Sequence, residues 1–211
     1  MASSNSQQEK WLIKIPYRGK ENVYELSKEM SPPLNFESMA RYTVLARANN
    51  EFSPRSAPFN FAAFKFIVDS NNPQRDEIIK FFRDKLGRTL PSTLSLVVYN
   101  HDGKGHDKFI HDIYMNTEYE CPGRIVGPNS RINIKDSSIL ETMIGEKNPD
   151  EVKRVINGIN QSDTSIFRLN SKPKQVEKRV VGFGANFDGF NLDLERSLSY
   201  LTSSFGYKLV E

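Results

Sequence analysis

The chain has 211 residues and a mass of 24.2 kDa, which fits one ordinary domain or two small ones and favours a single body. Hydrophobic residues make up 37% and charged residues 26%, at a mean hydropathy of -0.55, a composition that excludes a chain disordered throughout. Lys and Arg number 29 against 26 Asp and Glu, and the resulting net charge of +3 permits a polyanionic partner without demanding one.

No apolar run approaches the roughly 18 residues that span a bilayer, and Met1 to Lys10 lacks the apolar stretch of a signal peptide. A non-secreted, cytoplasmic or otherwise intracellular protein without a membrane span is expected. Cys121 is the single cysteine, which excludes an intramolecular disulfide and a multi-cysteine zinc cluster and leaves stability to packing. Residues 1–10, rich in Ser, Asn and Gln, are expected to form a flexible polar tail ahead of one domain over 11–211.

Along the chain, Trp11 to Pro16 predicts a strand that Pro16 ends. Val23, Leu26 and Met30 predict a short helix over Glu21–Met30, closed by Ser31-Pro32-Pro33. Tyr42 to Ala48 predicts a strand. Phe59 to Val68 is apolar on both alternating faces, which predicts a central, covered strand. The strongest local signal is Asn72 to Gly87. Asn72 is placed to cap, Pro73 to open the helix and Gly87 to supply the left-handed exit, with Ile78, Phe82 and Leu86 as the stripe facing a sheet.

Thr93–Tyr99 and Phe109–Asn116 predict a hairpin. Short edge strands are expected around Ile125-Val126 and Ile132–Ile134, and a helix from Asn148-Pro149 with Val152, Val155, Ile156 and Ile159 inward. An extended Ser165–Leu169, a helix near Asp193–Ser203 and an extended end at Tyr207–Val210 complete the order. Mixed strands with three or four helices and no steady alternation argue for an α+β fold with a mixed, mainly antiparallel sheet.

Each histidine precedes an aspartate: His101-Asp102, His106-Asp107 and His111-Asp112. If Gly103-Lys104 form a two-residue turn, His101 faces His106 across the ladder at about 5 Å between Cβ atoms, and His111 faces Leu96 on the opposite side. His101 and His106 are therefore the candidate metal ligands, and a metal-assisted hydrolase is the enzymatic alternative. His111 is expected to be a hydrogen-bonded core residue. Cys121 lacks a nucleophile signature and no Ser lies in a Gly-x-Ser-x-Gly elbow, so no catalytic residue is assigned.

Gly182-Phe183-Gly184 lacks the third glycine of a dinucleotide loop, Phe187 standing there, and no cofactor is expected. The run from Gly182 to Phe187 resembles the RNP1 segment of RNA-recognition motifs. It departs in having Phe187 one residue early and Ala185-Asn186 where an aromatic and a branched aliphatic are expected. Just ahead of it, Lys172, Lys174, Lys178 and Arg179 fall within eight residues that hold one acid, Glu177. Bases pair phosphates and flat rings stack nucleobases, which makes Lys172, Lys174, Lys178, Arg179, Phe183 and Phe187 the candidate nucleic-acid-binding residues.

The order strand, Ser-Asn turn, helix, strand, with a polar tail and weakly basic charge, is similar to that of rhabdovirus matrix proteins, which assemble on nucleocapsids and membranes. That resemblance implies a self-associating structural subunit. The leading expectation is a non-catalytic binding or assembly protein that recognises a polyanion such as nucleic acid, or a protein partner.

Overall fold

A computed structural model describes residues 9–101, 106–112, 117–122, 125–186 and 189–210. Most of the expected tail thus lies outside the described residues, and Lys10 already heads the first strand. Strands β1 (Lys10–Tyr17) and β2 (Lys20–Met30) form a hairpin closed by Arg18 and Gly19, whose φ angles of 51° and 72° give the turn that suits strand twist. The helix expected at Glu21–Met30 is therefore a strand. Its inward side chains are Tyr24 and Leu26, paired with Ile13 and Trp11, and the helical spacing of Val23, Leu26 and Met30 is a coincidence.

The strand expected at Tyr42–Ala48 is the second half of helix α1 (Phe36–Ala48), which starts where the Asn35 side chain accepts from the Ser38 N–H at 2.9 Å. The strand expected at Phe59–Val68 is helix α2 (Ala57–Asp69). Phe59, Asn60, Phe61, Ala63, Phe64 and Ile67 are all buried in it, so it lacks the polar stripe that makes a helix legible. Ser70-Asn71 consequently follows a helix, and the order that resembled rhabdovirus matrix proteins does not occur there.

Helix α3 (Arg75–Thr89) forms as expected but starts after Pro73, because the Asn72 side chain accepts from the Gln74 N–H at 2.8 Å and its carbonyl from the Arg75 N–H at 2.9 Å. Gly87 stays inside the helix, and the left-handed exit falls on Leu90, φ 46°. The chain continues as β3 (Ser92–Tyr99), β4 (Lys108–His111), β5 (Thr117–Glu120), β6 (Arg131–Asn133), α4 (Leu140–Ile144), α5 (Pro149–Asn160), β7 (Thr164–Phe167), β8 (Glu177–Asn186), β9 (Gly189–Arg196) and β10 (Phe205–Leu209). Ile125-Val126 is not a strand, and β9 replaces the helix expected at Asp193–Ser203, leaving Leu198 and Leu201 exposed in the turn after it.

A three-stranded sheet runs β1-β2-β10 and a seven-stranded sheet runs β5-β4-β3-β8-β9-β7-β6. All pairings are antiparallel except β7 with β9. Both sheets, with α2, α3, α4 and α5, share one hydrophobic core, and the α+β class expected from the sequence is the fold observed. On the other face of the large sheet α1 covers a smaller cluster of Phe36, Leu96, Ile110 and Val180.

Phe64 of α2 ties the layers together. Its ring meets Phe82 of α3 at 4.9 Å, Phe183 of the large sheet at 5.4 Å and Phe205 of the small sheet at 6.0 Å, all edge-on. Phe64→Ala is expected to destabilise the fold by about 3–5 kcal/mol, measured by urea unfolding, because no single neighbour can close a gap bounded by three elements.

Candidate functional site

The β3–β4 ladder pairs Ser95 with His111, Leu96 with Ile110, Val97 with Phe109 and Val98 with Lys108, one residue out of step with the register expected from a two-residue turn. Next to this ladder Asp107 is 2% exposed. Its Oδ1 accepts from the Asn100 N–H at 2.8 Å and its Oδ2 from the Ile125 N–H at 2.6 Å, which ties the end of β3 and the segment at Ile125 to the start of β4. His101 and His106 are both exposed, and the two-residue turn expected at Gly103-Lys104 lies outside the described residues. Among the described residues no three His, Cys, Asp or Glu side chains cluster as a metal site would require.

His111 is a hydrogen-bonded core residue, as expected, at 2% exposure. Its Nε2–H donates to the Thr142 carbonyl at 2.7 Å, which leaves Nδ1 to accept from the Ser95 hydroxyl at 2.7 Å, and Ser95 Oγ accepts from the Ala57 N–H at 2.9 Å. This chain of bonds fixes the start of α2 to β3, β4 and α4. His111 borders a cleft of ≈ 380 Å³ with Tyr17, Arg18 and Tyr119, but both ring nitrogens are engaged and Ser95 is fully buried, so the Ser–His pair offers no nucleophile to that cleft. Cys121 is 1% exposed, and burial pushes its thiol up to about 12, which leaves no thiolate at neutral pH.

The glycine and phenylalanine segment is β8. Phe183 is fully buried on the core face, packed on Phe64 and 6.0 Å from Phe190, so its ring presents no face for stacking a base and the likeness to an exposed RNP1 strand does not extend to its geometry. Phe187 lies outside the described residues. The glycines answer to the opposite face: a Cβ at Gly182 would meet the Arg196 guanidinium at 2.8 Å, and one at Gly184 would meet Leu90 at 2.5 Å. Lys172, Lys174 and Lys178 are exposed and have no ion-pair partner among the described residues, whereas Arg179 pairs with Glu177.

A different group of residues forms the more developed site. Asn133 caps the 3₁₀ turn Ile134–Asp136 by accepting from the Lys135 N–H at 2.9 Å, and Asn148 caps α5 by accepting from the Asp150 N–H at 3.0 Å. With Val152, Val155, Ile156 and Ile159 fully buried, Lys153 falls on the adjoining polar side of α5. Arg131 of β6 donates to Ser165 Oγ at 2.7 Å. These elements enclose a polar cavity of ≈ 600 Å³ lined by Arg131, Asn133, Lys135, Lys153, Asp163, Thr164 and Ser165 among others.

Lys153 lies 3.6 Å from Asp163 and Lys135 3.5 Å from Asp150, both exposed pairs. Thr164 is only 6% exposed, and its hydroxyl has no hydrogen-bond partner among the described residues. No local cue marks this grouping along the chain, since its cations are single residues on β6, the 3₁₀ turn and α5.

Comparison with family models, with curated proteins and with solved structures found no match.

Burial holds the His111 pKa below its ordinary value of 6.5, against the Thr142 hydrogen bond, which favours the charged ring. Above pH 6.5 the ring is neutral both folded and unfolded. As pH falls below that, the unfolded chain takes up a proton that the folded ring refuses, so stability declines by at most about 1.4 kcal/mol per pH unit until the lowered folded pKa is reached. Urea unfolding of His111→Gln between about pH 7.5 and 5 is expected to show a flatter decline than the parent protein.

Proposed function

We propose that the protein is a non-catalytic binding protein that holds phosphate groups of a polyanion, in the first place a nucleic acid strand, in the cavity between β6, the 3₁₀ turn, α5 and β7. The observation that carries this reading is the cavity lining, in which the described residues set three basic side chains, Arg131, Lys135 and Lys153, against one acid, Asp163. A phosphate oxygen accepts charge-assisted hydrogen bonds from such side chains. The exposed Lys–Asp pairs are each worth under about 1 kcal/mol, so an incoming phosphate displaces them at small cost.

The non-catalytic part of the reading is supported by the engagement of Ser95 and His111 and the burial of Cys121. With Phe183 in the core, recognition rests on charge and hydrogen bonding to the backbone rather than on base stacking, and it is expected to tolerate sequence.

Fluorescence anisotropy with a single-stranded oligonucleotide tests this. Three phosphates neutralised by these cations, each giving up about 0.7 condensed counterion, predict a log–log salt slope of about -2. Joint replacement Lys135→Gln and Lys153→Gln is expected to weaken binding about tenfold or more at low salt. Thr164→Val should leave the unfolding midpoint of the free protein unchanged or higher, since a buried hydroxyl without a partner among the described residues is gone. Binding that survives the double replacement, but is lost on joint replacement of Lys172, Lys174 and Lys178 by Gln, would move the site to the open loop before β8 and overturn the cavity assignment.

A further inference from the structure

Arg55, two residues ahead of α2, is held both at its backbone and at the face of its side chain. Its carbonyl accepts from the Leu94 N–H of β3 at 3.0 Å and from Asn60 Nδ2 at 3.2 Å. Its guanidinium lies 5.3 Å from the ring centroid of Phe59 and 5.5 Å from that of Tyr24. Phe59 is itself met edge-on by Tyr17, Tyr24 and Tyr207 at 5.2, 5.0 and 5.0 Å, so the guanidinium rests on a rigid aromatic floor.

Among the described residues this guanidinium makes no hydrogen bond and no ion pair. Only Nε of its three nitrogens is sealed from solvent, so the outer side of the fork, with both Nη atoms, is the side a ligand can reach. Ring contact attracts the charge but gives the Nη hydrogens no acceptor.

The surrounding charges do not supply one either. Arg47, in the last turn of α1, acts on Arg55 as a like charge, and Asp112, directly after β4, is the carboxylate among the described residues that acts on it as an opposite charge. Asp112 is already engaged, since its Oδ1 accepts from Arg47 Nη2 at 3.2 Å. Two guanidiniums thus share one carboxylate, and one positive charge is left over. Burial, then Arg47, pushes the Arg55 pKa down to about 10, so the group stays charged at neutral pH. A charge withdrawn from water without an opposite charge is costly.

We propose that the Arg55 fork, with Arg47 beside it, binds a carboxylate group where the end of α1, the loop before α2 and the end of β4 meet. The surplus charge of one is what a carboxylate neutralises, whereas a phosphate monoester carries about -1.5 to -2. A planar guanidinium also offers parallel N–H donors that match the two oxygens of a carboxylate. Because the fork is fixed before the ligand arrives, binding carries little ordering cost. Arg47 and Asp112 keep 30% and 16% of their side chains in contact with solvent, so the junction is open to a small group. Asp112, at φ 52° in the left-handed region, acts as the internal competitor of the incoming carboxylate. The junction is remote from the polar cavity in the strand order, with β4 next to one edge strand of the large sheet and β6 forming the other edge.

The test is two-dimensional amide NMR of the whole protein at constant ionic strength. Sodium acetate, N-acetyl-glutamate N-methylamide and inorganic phosphate are titrated in turn, with chloride making up the balance. Both carboxylate probes are expected to shift the Arg47, Arg55 and Asp112 signals saturably at millimolar concentration, and phosphate to bind more weakly. Tighter binding of the glutamate amide identifies a peptide side chain as the source, and tighter binding of acetate a free small carboxylate. Arg55→Lys, which keeps the charge and loses the fork, is expected to weaken binding about tenfold. Asp112→Asn, which the left-handed backbone accepts, is expected to tighten binding about threefold or more, a gain that a purely structural Asp112 would not give. No saturable shift at these signals, the same shift with chloride alone, phosphate binding as tightly as acetate, unchanged affinity in Arg55→Lys or no tightening in Asp112→Asn overturns the proposal. No variant is shared with the oligonucleotide experiment, so either proposal can fail alone.

Discussion

Most of this architecture follows from the need to hide α2. A 13-residue helix with Phe59, Phe61 and Phe64 buried cannot lie on the surface of one sheet; it has to be enclosed. The β1–β2 hairpin with β10 closes one side, α3, α4 and α5 pack along others, and β3 lies beneath. Enclosure also requires the backbone donors at the start of the helix to find partners inside the core. Ala57 N–H finds Ser95, whose hydroxyl in turn meets His111, so a serine and a histidine stand buried in the β3–β4 ladder. The interior polar chain at His111 is thus a structural consequence of burying α2.

Once the helices occupy the inner face of the large sheet, polar chemistry is left to its edge and its outer face. Two cavities lie there, one lined by Arg131, Lys135 and Lys153 and the other by Phe167, Tyr200 and the ion-paired Asp193 and Arg196. The two cavities share β7, with Ser165 bordering the first and Phe167 the second.

The elements legible in the sequence are those specified by neighbours in the chain. Asn72 and Asn148 announce α3 and α5 because a cap and the N–H groups it serves lie two or three residues apart. The elements misread are those whose pattern is set by distant packing. Helix α2 looks two-faced because every side of it is covered, and β2 looks helical because only Tyr24 and Leu26 need to be inward over much of its length. At the candidate sites the misreading was of direction. Phe183 sits in a glycine-rich, base-flanked run, yet which face of β8 it takes is fixed by Phe64 on one side and by Arg196 and Leu90 on the other.

From the sequence alone came the α+β class, the two capped helices, the hairpin around the histidines and the weakly basic charge, since these depend on composition and on interactions spanning a few residues. Only the tertiary structure decided which side of each strand meets the core and which side chains converge. A shift of one residue in the β3–β4 register exchanges the faces of every side chain on β4, and the register observed is one residue away from the one a two-residue turn would give. The convergence of Arg131, Lys135 and Lys153 exists only after the sheet has formed, because strand pairing and helix packing, not chain neighbourhood, bring those groups together.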